Sequence, residues 1–203
     1  MRGIRLDLRV EAPPGCDVHS LLLDCQVRIS PRRRSYRDPG ERERLQDLFG
    51  PPEQWAQSLQ GLLWTNAHAF VPRFEGVGLA ELDLPCTYDF EVSATRYLSA
   101  LEDGAIPLDI LFSGTILWSG ADGGQRIARV PLDREASFEL PVAVWREAID
   151  THFPGSAWLR VSRDRLSRLQ AYRATQAFPT WDAVVDSLLS PHEQEGANGR
   201  GRT

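Results

Sequence analysis

The sequence predicts an α+β fold: an antiparallel β-sandwich-like core with a helical insertion and C-terminal helices. Three observations carry that expectation. Hydrophobic residues recur at every second position through much of residues 1–140, the period of a strand with one buried face. Residues 38–61 and the chain beyond Pro141 switch to a helical period. No strand–helix–strand alternation supports a parallel, doubly wound sheet.

Ile4, Leu6, Leu8 and Val10 alternate with Arg5, Asp7, Arg9 and Glu11. Ala12-Pro13-Pro14-Gly15 turns the chain, and Leu21, Leu23, Cys25, Val27 and Ile29 resume the alternation, so residues 4–30 read as an antiparallel hairpin. Asp38-Pro39-Gly40-Glu41 is a helix start. Asp38 is placed as N-cap, Pro39 sits where no donor is needed, and Glu41 closes a capping box. That helix ends near Gly50, and Pro51-Pro52-Glu53 begins a second short one with Trp55 and Leu59 one turn apart.

Residues 62–72 read as extended. Leu79 to Val92 reads as one long strand, with Leu82, Leu84, Cys86, Tyr88, Phe90 and Val92 on one face and Glu81, Asp83, Asp89 and Glu91 on the other. Ser93 to Leu101 suits either period, and Glu102-Asp103-Gly104 is a turn. Ile106 to Trp118 is a further strand, Gly120 to Gly124 a loop, and 125–132 and 136–140 two short strands. Val144, Trp145, Ala148 and Ile149 form a helical stripe within 141–152. Ser162 caps a helix from Arg163 to about Gln176, and Thr180 caps another through Leu189.

The expected organisation is a β domain over 1–140 with its insertion at about 38–61, a helical segment over 141–190 packed on it, and a disordered tail over 191–203. The first strand begins at residue 4 with nothing before it to cover its edge. Such an edge invites pairing, so either a further strand precedes the chain's start or a later element or a partner covers it.

Composition narrows the function. The 23 basic residues are all arginine, which removes Schiff-base catalysis, the lysine of the phosphate-binding loop and the kinase ion pair. Three cysteines, an odd number, argue against a disulfide framework and for a reducing cytoplasm. The uncharged stretch from Ala56 to Pro72 is shorter than the roughly 20 residues a bilayer demands. No membrane insertion is expected. Net charge is −5, concentrated between residues 51 and 155, where 15 acids face 6 arginines. An acidic middle opposes nucleic-acid binding, which needs a concentrated positive field.

Few constellations suggest chemistry. Cys16, His19, Cys25 and Cys86 supply enough sulfur and imidazole for a zinc site, but the spacing is irregular and two of the cysteines fall on the apolar parity of their strands, so no metal is expected. Trp64, Asn66, His68 and Phe70 share a strand parity, and His68 there suits either a general base in a pocket or a hydrogen-bonded surface histidine. Ser113 has no strand-to-helix elbow to expose it as a nucleophile. Glu81 and Asp83, like Asp89 and Glu91, stand about 6.8 Å apart along a strand, a distance suited to two-carboxylate chemistry. Alternating acids are equally what a solvent-facing strand displays opposite cross-strand arginines. Arg28, Arg32, Arg33, Arg34 and Arg37 form the one basic run and read as a solvated strand end or a contact for an acidic protein. The six tryptophans, Trp55, Trp64, Trp118, Trp145, Trp158 and Trp181, read mainly as core packing.

The segments Leu23-Asp24-Cys25-Gln26-Val27-Arg28-Ile29, Leu63-Trp64-Thr65, Leu84-Pro85-Cys86-Thr87-Tyr88-Asp89-Phe90-Glu91-Val92, Leu111-Phe112-Ser113-Gly114-Thr115, Leu140-Pro141-Val142-Ala143-Val144-Trp145 and Pro179-Thr180-Trp181-Asp182 together resemble an uncharacterised bacterial family, catalogued as domain of unknown function six-zero-eight-four. The resemblance runs from about residue 4 to 190. It brings no established activity, cofactor or catalytic residue. It implies an accessory role beside nickel-iron hydrogenases and an extra strand ahead of Ile4.

The expected function is therefore a non-catalytic cytoplasmic module that binds another protein, a hydrogenase component being the partner the resemblance implies, through an acidic sheet face or an open strand edge. The site residues are Glu81, Asp83, Asp89, Glu91, Trp64, Asn66 and His68, with no catalytic residue, metal or cofactor. The alternative is a small-pocket enzyme, a hydrolase using His68 and the strand carboxylates.

Overall fold

Period-two alternation produces the strands β1 (Ile4–Glu11), β2 (Asp17–Ile29), β3 (Leu62–Val71), β4 (Phe74–Glu75), β5 (Val77–Leu84), β6 (Ala105–Ser119), β7 (Gln125–Arg129) and β8 (Glu135–Pro141). The computed structural model describes residues 3–89, 92–120 and 122–198, with 191–198 as backbone only. The helices are α1 (Pro39–Phe49), α2 (Trp55–Ser58), α3 (Ser93–Ala100), α4 (Val142–His152), α5 (Arg163–Thr175) and α6 (Trp181–Asn198). This is an α+β fold on two antiparallel sheets.

The strands β1 and β2 form where the alternation places them, but not as a hairpin. β2 is hydrogen-bonded on both edges, to β3 from Leu21↔Val71 to Ile29↔Leu62 and to β6 from Asp17↔Ser119 to Ile29↔Leu108. No edge remains for β1. The turn with Gly15 at φ 76° carries the chain into the other sheet, where β1 pairs with β5 from Ile4↔Leu84 to Glu11↔Val77. β8 and β7 follow one another along the far edge of β6, and β4 pairs antiparallel with β2 at Asp17 and Val18.

The expected long strand from Leu79 stops at Leu84. Pro85 has no N–H for a ladder, Cys86 turns into the core, and the ambiguous stretch after Val92 resolves as helix α3, burying Ala94, Tyr97 and Leu98.

Helix α1 starts as its sequence dictates: the Asp38 carboxylate accepts the Glu41 N–H at 2.7 Å, and Gly50 at φ 73° ends it. Glu41 does not close the capping box. Its side chain is 2 % exposed and turns to Arg34 and the Glu102 N–H.

One core joins the inner faces of both sheets. Ile4, Leu6, Leu82 and Leu84 of the small sheet cluster with Cys25, Val27, Ala69, Ile106 and Leu108 of the large one, and with Leu45, Tyr97 and Trp145 from the helices. This compact unit ends at Trp158 and includes α4. A second begins at Leu159 and holds α5 and α6. Ser162 caps α5 by accepting the Arg165 N–H, and Thr180 caps α6 by accepting the Ala183 N–H. Within it Tyr172 hydrogen-bonds Ser187 at 2.9 Å, and Arg173 lies over the Trp181 ring. α6 continues beyond Leu189 to Asn198. Of the tail expected to be disordered, residues 199–203 lie outside the described residues.

Candidate functional site

Glu81 and Asp83 point outward from β5, and the register of β1 sets Arg5 directly opposite Asp83. The Arg5 guanidinium reaches Asp83 at 2.9 Å and Glu81 at 3.0 Å, so one arginine bridges both acids. Hydrogen bonding to Asp83, reinforced by both carboxylate charges, raises the Arg5 pKa. All three side chains are more than half exposed. A general acid for glycoside cleavage needs a carboxyl held protonated by burial; these two acids are open to water and already meet a cation.

The expected row of four carboxylates does not form. Asp89 lies beyond the end of β5, in a loop where its backbone bridges to Trp158 and its N–H bonds the Thr87 hydroxyl. Glu91 lies outside the described residues.

His68 and Asp24 face each other across β3 and β2, with His68 Nδ1 2.7 Å from the Asp24 carboxylate. Their side chains are 79 % and 65 % exposed. On the other side of Asp24 stands Ser113 of β6, whose hydroxyl donates to the Asp24 main-chain oxygen at 3.5 Å. The cross-strand order is thus histidine, aspartate, serine. A serine nucleophile requires the imidazole between hydroxyl and carboxylate, so this order cannot relay the proton.

Asn66 is exposed and pairs with Gln26. Trp64 leaves the expected shared face. The register steps from Val27↔Thr65 to Arg28↔Leu63, skipping Trp64, and this bulge lets the indole pack against the core. Leu22 and Phe70 stand directly opposite each other, 57 % and 58 % exposed. With Asp24, His68 and Thr115 they line a shallow open groove on the outer face of the large sheet. Sequence reasoning did not select Leu22 or Asp24. The available signal was parity, since Leu22 is an apolar residue on the outward parity of β2.

The basic run is solvated only in part: Arg28, Arg32 and Arg37 are exposed. Arg34 is buried against Glu41, and Arg33 pairs with Asp109 and Glu139, so its acidic partners belong to its own chain. Cys25 and Cys86 sit in the core, and desolvation pushes the Cys25 thiol up to about 11. The His19 ring bonds Ser119 at 2.7 Å. Among the described residues no group of three or more histidine, cysteine or acidic side chains is placed to hold a metal ion. No helix among them is long and apolar enough to cross a membrane.

No curated protein and no solved structure matches the chain. The sequence pattern of one family does, over residues 3–197, and with nearly the whole chain covered the protein belongs to DUF6084, a family of unknown function.

Proposed function

We propose that the chain is a non-catalytic cytoplasmic module that binds another protein through the outer face of its six-stranded sheet. One observation carries the reading: the exposed Leu22–Phe70 pair lies beside the exposed Asp24–His68 pair. An apolar centre flanked by polar groups is the anatomy of a protein contact. The occupant that fits is a protein surface presenting an apolar side chain beside an arginine or lysine, the cation sharing the exposed Asp24 carboxylate with His68. The Glu81–Asp83 face offers less, because Arg5 already satisfies it. The resemblance supplies the partner to try first, a component of a nickel-iron hydrogenase system.

The test is titration calorimetry with purified hydrogenase components, using the full chain and two variants. Leu22→Asp combined with Phe70→Asp should abolish binding, whereas His68→Ala should leave it little changed. The hydrolase alternative predicts that the wild type binds no such component and that His68→Ala abolishes turnover. Loss of function from His68→Ala in a stably folded chain, with the apolar pair dispensable, would overturn the binding module.

A further inference from the structure

We propose that the free edge of β1 pairs with β1 of a second copy, antiparallel about a two-fold axis, so that the small sheets of two chains join into one four-stranded sheet.

The backbone sets which groups are available. The Ala12 N–H donates to the Gly76 carbonyl at 2.8 Å, in line with the Val10↔Gly78 and Leu8↔Ala80 register. Antiparallel strands alternate bonded and non-bonded pairs, so the even-numbered residues of β1 bond to β5. The N–H and C=O groups of Arg5, Asp7, Arg9 and Glu11 therefore point away from β5. No strand among the described residues takes that edge. A row of unpaired backbone groups is a template for another strand.

The side chains choose the occupant. Residues 5, 7, 9 and 11 read plus, minus, plus, minus on the exposed face. With Leu8 on the two-fold axis, Arg5 meets Glu11 of the second copy and Asp7 meets Arg9 of the second copy, each pair occurring twice. Sliding the register by one bonded pair in one direction sets Asp7 against itself and Arg5 against Arg9. Sliding it the other way sets Arg9 against itself and Asp7 against Glu11. Like charges directly opposite are destabilising, so charge disfavours both neighbouring registers; a slide of two bonded pairs restores opposite charges but keeps only half as many such couples, which leaves the register centred on Leu8 the most favourable.

The same register joins the inner faces, placing Leu8 against Leu8 and Leu6 against Val10. Leu8 and Val10 are only half-buried in the single chain. Asp7 also gains a cation. Within the chain it stands opposite another acid, Glu81, and forms no salt bridge among the described residues.

Sedimentation equilibrium on the full chain tests this, with circular dichroism to establish that each variant is folded. The wild type should approach twice the chain mass of 22.8 kDa and dissociate as salt screens the charge pairs. Asp7→Arg alone and Arg9→Asp alone should each return the mass to that of one chain, and the two combined should restore the dimer. As a second readout, the wide pair at the axis brings the Cα atoms to about 4.5 Å, within disulfide reach. Mild oxidation should thus cross-link Leu8→Cys but not Leu6→Cys. A wild type that stays monomeric to millimolar concentration, single swaps that leave the dimer intact, or a combined swap that fails to restore it would overturn the proposal.

Discussion

Arg34 and Glu41 form an ion pair inside the protein: Arg34 Nη2 donates to Glu41 Oε1 at 2.7 Å, with the side chains 8 % and 2 % exposed. The same carboxylate accepts the Glu102 N–H, and Arg34 Nη1 donates to the Ala105 carbonyl, so the pair ties α1 to the turn that enters β6. Removing one partner strands a buried charge. Glu41→Ala or Arg34→Ala should each cost about 3–5 kcal/mol in urea denaturation. Replacing both with apolar residues of similar volume, Arg34→Met with Glu41→Leu, should cost far less than the sum.

Asp109 contributes to the protein's sensitivity to acid. Partial desolvation pushes it up, but hydrogen bonds from Ser30 and Ser137 and the Arg33 guanidinium outweigh that and hold it below the usual carboxylate range. The unfolded chain then binds the proton more readily than the native one. The stabilisation is present above the ordinary carboxylate value of about 4 and is lost as pH falls through the native value. The wild-type urea midpoint should decline below about pH 4. Asp109→Asn should be less stable at pH 7 and show a shallower acid limb.

Gly114, at φ 142°, lets β6 pass close to β2: a Cβ there would lie 2.0 Å from the Leu22 carbonyl oxygen. Gly114→Ala should cost about 3 kcal/mol or more, from the backbone conformation and the clash together. Gly123 has φ 72° but open space around it, so Gly123→Ala meets backbone strain and no clash. It should cost about 1 kcal/mol. The denaturation midpoint should fall much further for Gly114→Ala than for Gly123→Ala.

The cysteines should separate by reactivity. Desolvation raises both the Cys25 and Cys86 thiols, disfavouring the thiolate that alkylating agents require. Cys16 is half-buried. Iodoacetamide should label Cys16 in the native protein and reach Cys25 and Cys86 only in urea, as read by fragmentation mass spectrometry, since Cys16 and Cys25 share the arginine-cleaved peptide Val10–Arg28.

What was legible in the sequence was local. Asp38, Pro39 and Gly50 bound α1 through interactions within a few residues, and Ser162 and Thr180 cap their helices in the same way. Strand parity placed Glu81, Asp83, Asn66 and His68 on solvent-facing sides. Pairing was not legible, because β1 carries the same alternation whether it meets β2 or β5. Pro85 did carry a signal: a residue without an N–H is a poor member of an inner strand. Arg34 looked like any member of a basic run, since nothing near it in sequence reveals that it is buried against a carboxylate on α1. The bulge at Trp64 is likewise a property of the paired strands, absent from either one alone.

The position of β2 between β3 and β6 also bears on how the chain reaches this state. Leu22 waits for Phe70 on one side and Thr115 on the other, and Ile4 waits for Leu84. Such distant partners slow the search, because loop entropy is lost before any contact rewards it. During synthesis the first two strands leave the ribosome long before their neighbours exist, with Leu21, Leu23 and Val27 still uncovered. Refolding should accordingly fall in the millisecond-to-second range of sheet-dominated domains, and nascent chains halted ahead of β6 should be the species most prone to clump.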